Sequence, residues 1–164
     1  MARFVNPLDF PSFVDAMILD DVADGQNDAV AEIVRLSEAN EISVRLPYSV
    51  KDELAHPSTP AAARRAEALF LFSLPVTLTA EERVRFEGLV EAAKGEAKEK
   101  NIRRDLFHVW EASKYGAGYF ITRDKRLLGR NPTIARHVQT EVVLPIAFLN
   151  RVAEARSRVA LMRL

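Results

Sequence analysis

Asp105-Leu106-Phe107-His108-Val109-Trp110-Glu111-Ala112-Ser113-Lys114, then Tyr115-Gly116-Ala117-Gly118, then Tyr119-Phe120-Ile121-Thr122-Arg123-Asp124: the reading of this stretch decides the fold. The first block has the apolar spacing of a helix, which Asp105 is expected to open. Gly116 and Gly118 stop that helix. Tyr119 to Thr122 is a short apolar run that leads straight into Arg123-Asp124, as a buried strand does when it delivers polar residues at its C-terminal end.

Downstream, the pattern predicts short helices at Lys125–Leu128 and near Thr133–His137, a strand at Val142–Leu144 and a last helix from Pro145 onward. Upstream lies a highly charged stretch, Lys94 to Arg104, which a solvated loop or a helix end explains. Before it, Thr79-Ala80-Glu81-Glu82 has capping-box spacing, and Val84, Phe86, Leu89 and Val90 follow in the helix it opens. Pro75–Leu78 is expected as a short strand, Ala61–Phe72 as a helix set off by Pro57 and Pro60, and Tyr48–Ala55 as a short helix carrying Glu53. Ile42–Leu46 reads as a strand, and Asn27 or Asp28 caps a helix that ends near Asn40. Ala16-Met17-Ile18-Leu19, an apolar run ending in Asp20-Asp21, completes the series as the first strand. Strands alternating with helices predict an α/β domain whose parallel sheet is sandwiched between helices.

The 164 residues, 48% hydrophobic and 28% charged, suit one domain spanning 1–164 with a buried core. Lys plus Arg total 23, as do Asp plus Glu, so any basic surface for nucleic acid must be a local patch. The chain has no Cys, which excludes disulfides, thiolate catalysis and Cys-based zinc sites. No apolar run approaches the roughly 20 residues of a membrane span. The N-terminus lacks a basic segment followed by an apolar core, so a soluble cytoplasmic protein is expected, with no membrane partner.

In open parallel sheets the ligand sits beyond the C-terminal strand ends, near the point where strand order reverses. Asp20 and Asp124 are expected there, Asp105 beside them, and Glu53 with them if its short helix turns a polar face over the sheet edge. Clustered carboxylates repel and raise one another's pKa unless a cation sits among them. A magnesium ion fits, held by one or two carboxylates with water or a substrate phosphate completing the octahedron. Phosphodiester cleavage is the chemistry that follows.

Each of these acids also has a plainer reading, Asp105 as a helix-dipole charge, Asp124 as an N-cap and Glu53 as a solvated charge. His108 shares a helix face with Asp105 and reads as a core or supporting residue. Phe107 and Trp110 read as packing rather than base-stacking platforms. Arg103, Arg104, Arg123, Lys125, Arg126 and Arg130 surround the central Asp residues and either engage RNA phosphates or are ordinary surface charges. The amphipathic last helix packs on its own domain or extends a dimer interface.

Four blocks carry a family resemblance: Met17-Ile18-Leu19-Asp20; Val50-Lys51-Asp52-Glu53-Leu54; Asp105-Leu106-Phe107-His108-Val109-Trp110-Glu111-Ala112; and Tyr119 through Leu128, with Val142-Val143-Leu144-Pro145 closing the series. Together they resemble the PIN-domain family over residues 16 to 150, leaving 151–164 as a C-terminal helix. The resemblance implies a three-layer α/β/α sandwich with a mostly parallel central sheet. It also implies a ribonuclease dependent on Mg2+ or Mn2+, with Asp20, Glu53, Asp105 and Asp124 as its acids and Asp20, Asp105 and Asp124 as metal ligands. His108 and Asp21 would be accessory, and Arg123, Lys125 and Arg126 would contact RNA. Many members are VapC-type toxins neutralised by a small antitoxin, and many are homodimers.

Asp21 departs from the pattern, since the family usually has a small hydroxyl or amide residue there. It is a further metal or water ligand, a helix-side charge, or the mark of a drifted site. An inactive PIN-like module that binds RNA or protein is therefore the alternative function. A response-regulator receiver is excluded, because Pro75-Val76-Thr77-Leu78-Thr79 offers no Asp to phosphorylate.

Overall fold

The computed structural model describes residues 5–95 and 99–164, so residues 96–98 of the charged stretch and the first four residues of the chain lie outside it. Its centre is a five-stranded sheet: β1 (Ser12–Val14), β2 (Val44–Leu46), β3 (Leu71–Phe72), β4 (Tyr119–Ile121) and β5 (Glu141–Val143). The strand order is β3-β2-β1-β4-β5, and every pairing is parallel. The helices are α1 (Ala16–Asp24), α2 (Asp28–Glu38), α3 (Val50–Leu54), α4 (Ala61–Ala66), α5 (Ala80–Ala93), α6 (Glu99–Lys114), α7 (Lys125–Gly129), α8 (Asn131–Ile134) and α9 (Pro145–Met162).

The register sorts the core into two halves. Phe13, Phe120 and Val142 stand opposite one another and point to one face, where α5, α6, α7 and α8 supply Phe86, Leu89, Leu106, Val109, Leu127 and Ile134. Val14, Ile121 and Val143 point to the other, against Ile18, Leu19, Ile33, Leu36 and Phe148 from α1, α2 and α9. Residues one apart on a strand face opposite sides, so three-residue strands with no polar face require cover on both. The sheet grows from β1 toward β3 and then reverses to β4 and β5. Right-handed crossovers then place the two sets of helices on opposite faces, and the result is a three-layer α/β/α sandwich. No helix among the described residues is long and apolar enough to cross a membrane.

The first strand is not where the apolar run predicts it. Ala16–Leu19 lies in α1, and the strand is the preceding Ser12-Phe13-Val14. An unbroken run of four apolar residues is compatible with either state. Ala, Met and Leu are strong helix formers, whereas Phe and Val favour a pleated, packed surface. Asp15 adopts an extended conformation at the junction and is the N-cap position of α1.

Three further boundaries move. The helix from Ala61 ends at Ala66, and after a short 3-10 turn at Glu67–Leu69 the chain forms β3, so the strand expected at Pro75–Leu78 is Leu71–Phe72 instead. The register pairs Arg45 with Leu71 and Leu46 with Phe72. Asp105 does not open its helix, because α6 already runs from Glu99, and Ile102 in that polar first part is buried. The capping box is present as predicted, Thr79 Oγ1 accepting from Glu82 N–H and Glu82 Oε2 from Thr79 N–H.

Gly116 ends α6 with φ +78°, and Ala117 N–H closes back onto Ala112 C=O. Gly118 serves a different purpose from stopping a helix. A Cβ there would lie 2.6 Å from Val5 Cγ1, so glycine lets the N-terminal segment pass against β4.

Candidate metal centre

The strand order reverses between β1 and β4, and the side chains that leave their C-terminal ends meet there. Asp15 follows β1 directly. Its carboxylate accepts a 2.8 Å hydrogen bond from Thr122 Oγ1, and Thr122 Oγ1 accepts from Asp124 N–H at 3.0 Å. Asp124 caps α7, its Oδ1 accepting from Arg126 N–H at 2.8 Å. The N-cap reading of Asp124 and its place at the strand end therefore hold together.

From the α5–α6 side, Asp105 and His108 project from one face of α6, one turn apart. Phe86 packs edge-on against Phe107 and Trp110, with centroids 5.5 and 5.6 Å apart, so both aromatics are packing residues that fix this helix. One turn beyond His108, the Glu111 carboxylate is 1% exposed. It accepts from Ser49 N–H at 3.1 Å, Ser49 Oγ at 2.5 Å and Ser73 Oγ at 3.4 Å. Glu111 thereby ties α6 to the start of α3, the helix that carries Glu53. Asp52 is exposed while Glu53 is half-buried, so Glu53 is the acid that α3 turns inward.

Glu53, Asp105 and His108 each offer a ligand atom, all within 4.8 Å of one another. His108 is 2% exposed and its Nε2 is buried without a hydrogen-bond partner, lying 3.6 Å from Glu53 Oε1. Two carboxylates and an imidazole nitrogen with no other partner are a donor set that fits a divalent cation.

Two arginines share the carboxylates. Arg104 Nε lies 2.9 Å from Glu53 Oε1 and 3.9 Å from Asp105 Oδ1. Arg126 Nη2 lies 3.0 Å from Asp124 Oδ2 and 3.7 Å from Asp105 Oδ2. Burial raises Glu53 to about 7, Arg104 opposing and the charges of Asp15 and Asp105 adding. Burial also raises Asp105 to about 6, with Asp15 and Asp124 adding and the two arginines opposing. Burial raises Asp15 as well, partly offset by the Thr122 hydroxyl and assisted by Asp124. At Asp124 the effect of burial is outweighed by the Arg126 side chain and backbone N–H, which hold the carboxyl below its usual range. Burial, with Arg104 nearby, lowers His108 to about 4 and keeps it neutral. Three carboxyls pushed up and one imidazole pushed down mark a desolvated site in which the charged form of each group is disfavoured.

Of the acids expected from sequence, Glu53, Asp105 and Asp124 converge and Asp20 does not join them. Asp20 is exposed on α1, and the strand-end position assigned to it belongs to Asp15. The signal for Asp15 was Phe13-Val14 followed by Asp, ahead of a helix-forming run. Asp21 is held by Arg123, whose Nε and Nη2 donate to both its oxygens. It is a paired charge on α1, and Arg123 is not free. Lys125 is exposed and Arg126 spans Asp105 and Asp124.

The class this geometry defines is an α/β/α protein with an acidic, histidine-containing cluster at its topological switch point. No family model, curated protein or solved structure matches the chain.

Proposed function

We propose that the chain is a PIN-type ribonuclease that hydrolyses RNA phosphodiester bonds with Mg2+ or Mn2+. The observation that carries this reading is the convergence of Asp15, Glu53, Asp105 and Asp124 with the unpartnered His108 at the sheet's switch point. On this reading Asp15 replaces Asp20 as the first-strand acid, and Glu53 and Asp105, whose ligand atoms lie within 4.8 Å of each other, would hold the ion, with Asp15 as a charge beside them. When bound, such an ion supplies an activated water and neutralises charge on the scissile phosphate.

The chain's own groups do the rest. Thr122 orients Asp15 and fixes the backbone that presents Asp124. Arg104 and Arg126, more than half exposed, can turn from the carboxylates to backbone phosphates. Glu53, pushed up to about 7 by burial, is about half-protonated at neutrality and would have to give up that proton to hold a cation.

The test is cleavage of single-stranded RNA with and without Mn2+, repeated with Asp105→Asn and Asp124→Asn. Loss of cleavage in folded variants supports the reading, and cleavage retained in both sinks it. One observation favours the second reading, a module that binds without cutting: Arg104 and Arg126 already pair with Glu53, Asp105 and Asp124. RNA retention without metal-dependent cleavage would establish that module.

A toxin role with a small antitoxin rests on the resemblance alone. Growth arrest on expression, relieved by Asp105→Asn, is its test. A homodimer would draw on the exposed end of α9, where Leu161 is 70% and Met162 85% exposed.

A further inference from the structure

We propose that His108 ligates the metal directly through Nε2, and that this imidazole makes the pocket a manganese site in preference to a magnesium one. The inference deepens the metal-dependent reading above and rests on it.

The four acids of the expected pattern need no histidine, and a histidine on the inner face of a helix is ordinarily a packed residue with both nitrogens satisfied. His108 departs from that. It is 2% exposed, and its Nε2 has no hydrogen-bond partner, although Glu53 Oε1 is 3.6 Å away. That separation is beyond a hydrogen bond. A buried polar atom left unsatisfied is costly, so the position demands a partner of another kind.

The helix geometry shows where that partner belongs. Asp105 and His108 stand one turn apart on α6, and α3 brings Glu53 against them, with one donor atom from each within 4.8 Å of the others. Two ligands at about 2.1 Å from one ion stand at most about 4.2 Å apart, so three atoms within 4.8 Å of one another surround an ion once the side chains draw in by under about 1 Å. The tautomer with its proton on Nδ1 leaves the Nε2 lone pair, 3.6 Å from Glu53 Oε1, available to a metal. An imidazole beside two carboxylates changes the choice of metal. Magnesium prefers oxygen donors throughout, whereas manganese and the later divalent ions accept mixed oxygen and nitrogen sets.

The test uses the full chain with His56→Gln and His137→Gln, both exposed positions, so that His108 is the remaining histidine. Mn2+ is bound and its coupling to 14N is read by pulsed electron paramagnetic resonance, a measurement independent of cleavage. Directly coordinated imidazole nitrogen is the expected result. In calorimetric titrations, His108→Leu is expected to weaken Mn2+ by more than about tenfold and Mg2+ by less than about threefold. Mn2+ bound without nitrogen coupling overturns the ligand assignment while sparing the metal-dependent reading. No Mn2+ binding by the His108-containing chain overturns both. Should His108→Leu fail to fold, the resonance measurement decides alone.

Discussion

The Thr122 hydroxyl donates to the Asp15 carboxylate across 2.8 Å, joining the residue that follows the first strand to the residue that follows the fourth. The same oxygen accepts from Asp124 N–H, so one buried threonine sets two acids of the pocket. Thr122→Val keeps the shape and removes both bonds. It is expected to cost about 1–3 kcal/mol of stability, the range for a buried polar group that loses its partner. Urea unfolding measures this, and Mn2+ titration of the same variant is expected to show weaker binding.

Asp15 and Asp20 make opposite predictions. Asp15→Asn removes a charge facing Asp105, Glu53 and Asp124 and is expected to weaken Mn2+ by at least about tenfold. Asp20→Asn alters an exposed position on α1 and is expected to leave binding within about twofold. Calorimetry on the two variants decides, and equal losses would restore Asp20 to the site.

The pocket's titration sets a pH slope. Glu53 at about 7 and Asp105 at about 6 lie above their unfolded values of 4.5 and 3.8, so the folded state holds more protons than the unfolded one in those intervals. Their contribution to stability is therefore full at acid pH and is lost as pH rises through the folded values. His108, at about 4 against 6.5 unfolded, acts in the other sense between those two values. Glu53 and Asp105, joined by Asp15, which is raised as well, outweigh the one imidazole and leave metal-free stability falling from about pH 4.5 to about pH 7. Metal affinity runs the opposite way, rising about tenfold per pH unit for each proton that binding releases. Unfolding across pH with Mn2+ and with chelator checks the crossing of the two trends.

Arg104 pairs with Glu53 at 2.9 Å and is itself 58% exposed. Arg104→Gln removes a competitor for that carboxylate and is expected to tighten Mn2+ by about threefold to tenfold at pH 8, above the folded values of about 7 for Glu53 and about 6 for Asp105. On the proposed RNA reading, the same change weakens RNA binding and lowers the slope of log affinity against log salt by about 1. Unchanged RNA affinity would show that Arg104 serves the carboxylates alone.

Glu111 joins α6 to α3 through Ser49 and Ser73. Glu111→Ala leaves the buried Ser73 hydroxyl and the half-buried Ser49 donors without this acceptor and is expected to cost about 2–4 kcal/mol, read by urea unfolding. Glu111→Gln keeps an acceptor oxygen and is expected to lose less. Both should weaken metal binding less than Asp105→Asn does, since Glu111 acts by placing the helices.

Much of this molecule follows from local pattern. The alternation of strands and helices, the Thr79 cap, the Gly116 stop and the β4 strand with Asp124 after it are written in residues adjacent in the chain. These features rest on backbone dihedrals, capping bonds and side-chain periodicity, which need no distant partner. Tertiary structure decided the rest. Ala16–Leu19 suits a buried strand or a buried helix equally by pattern, and pairing of Ser12–Val14 between β2 and β4 settled which, moving the strand-end acid from Asp20 to Asp15. Leu71–Phe72 became a strand through its partner Arg45-Leu46, and its own sequence announced nothing. That Glu53, rather than Asp52, meets Asp105 and His108 follows from how α3 is held against α6 by Glu111. The sequence alone determined the caps, the stops and the β4 strand with its acid, because those depend on neighbours in the chain. The site's membership was decided in three dimensions, because it depends on side chains brought together from β1, α3, α6 and β4.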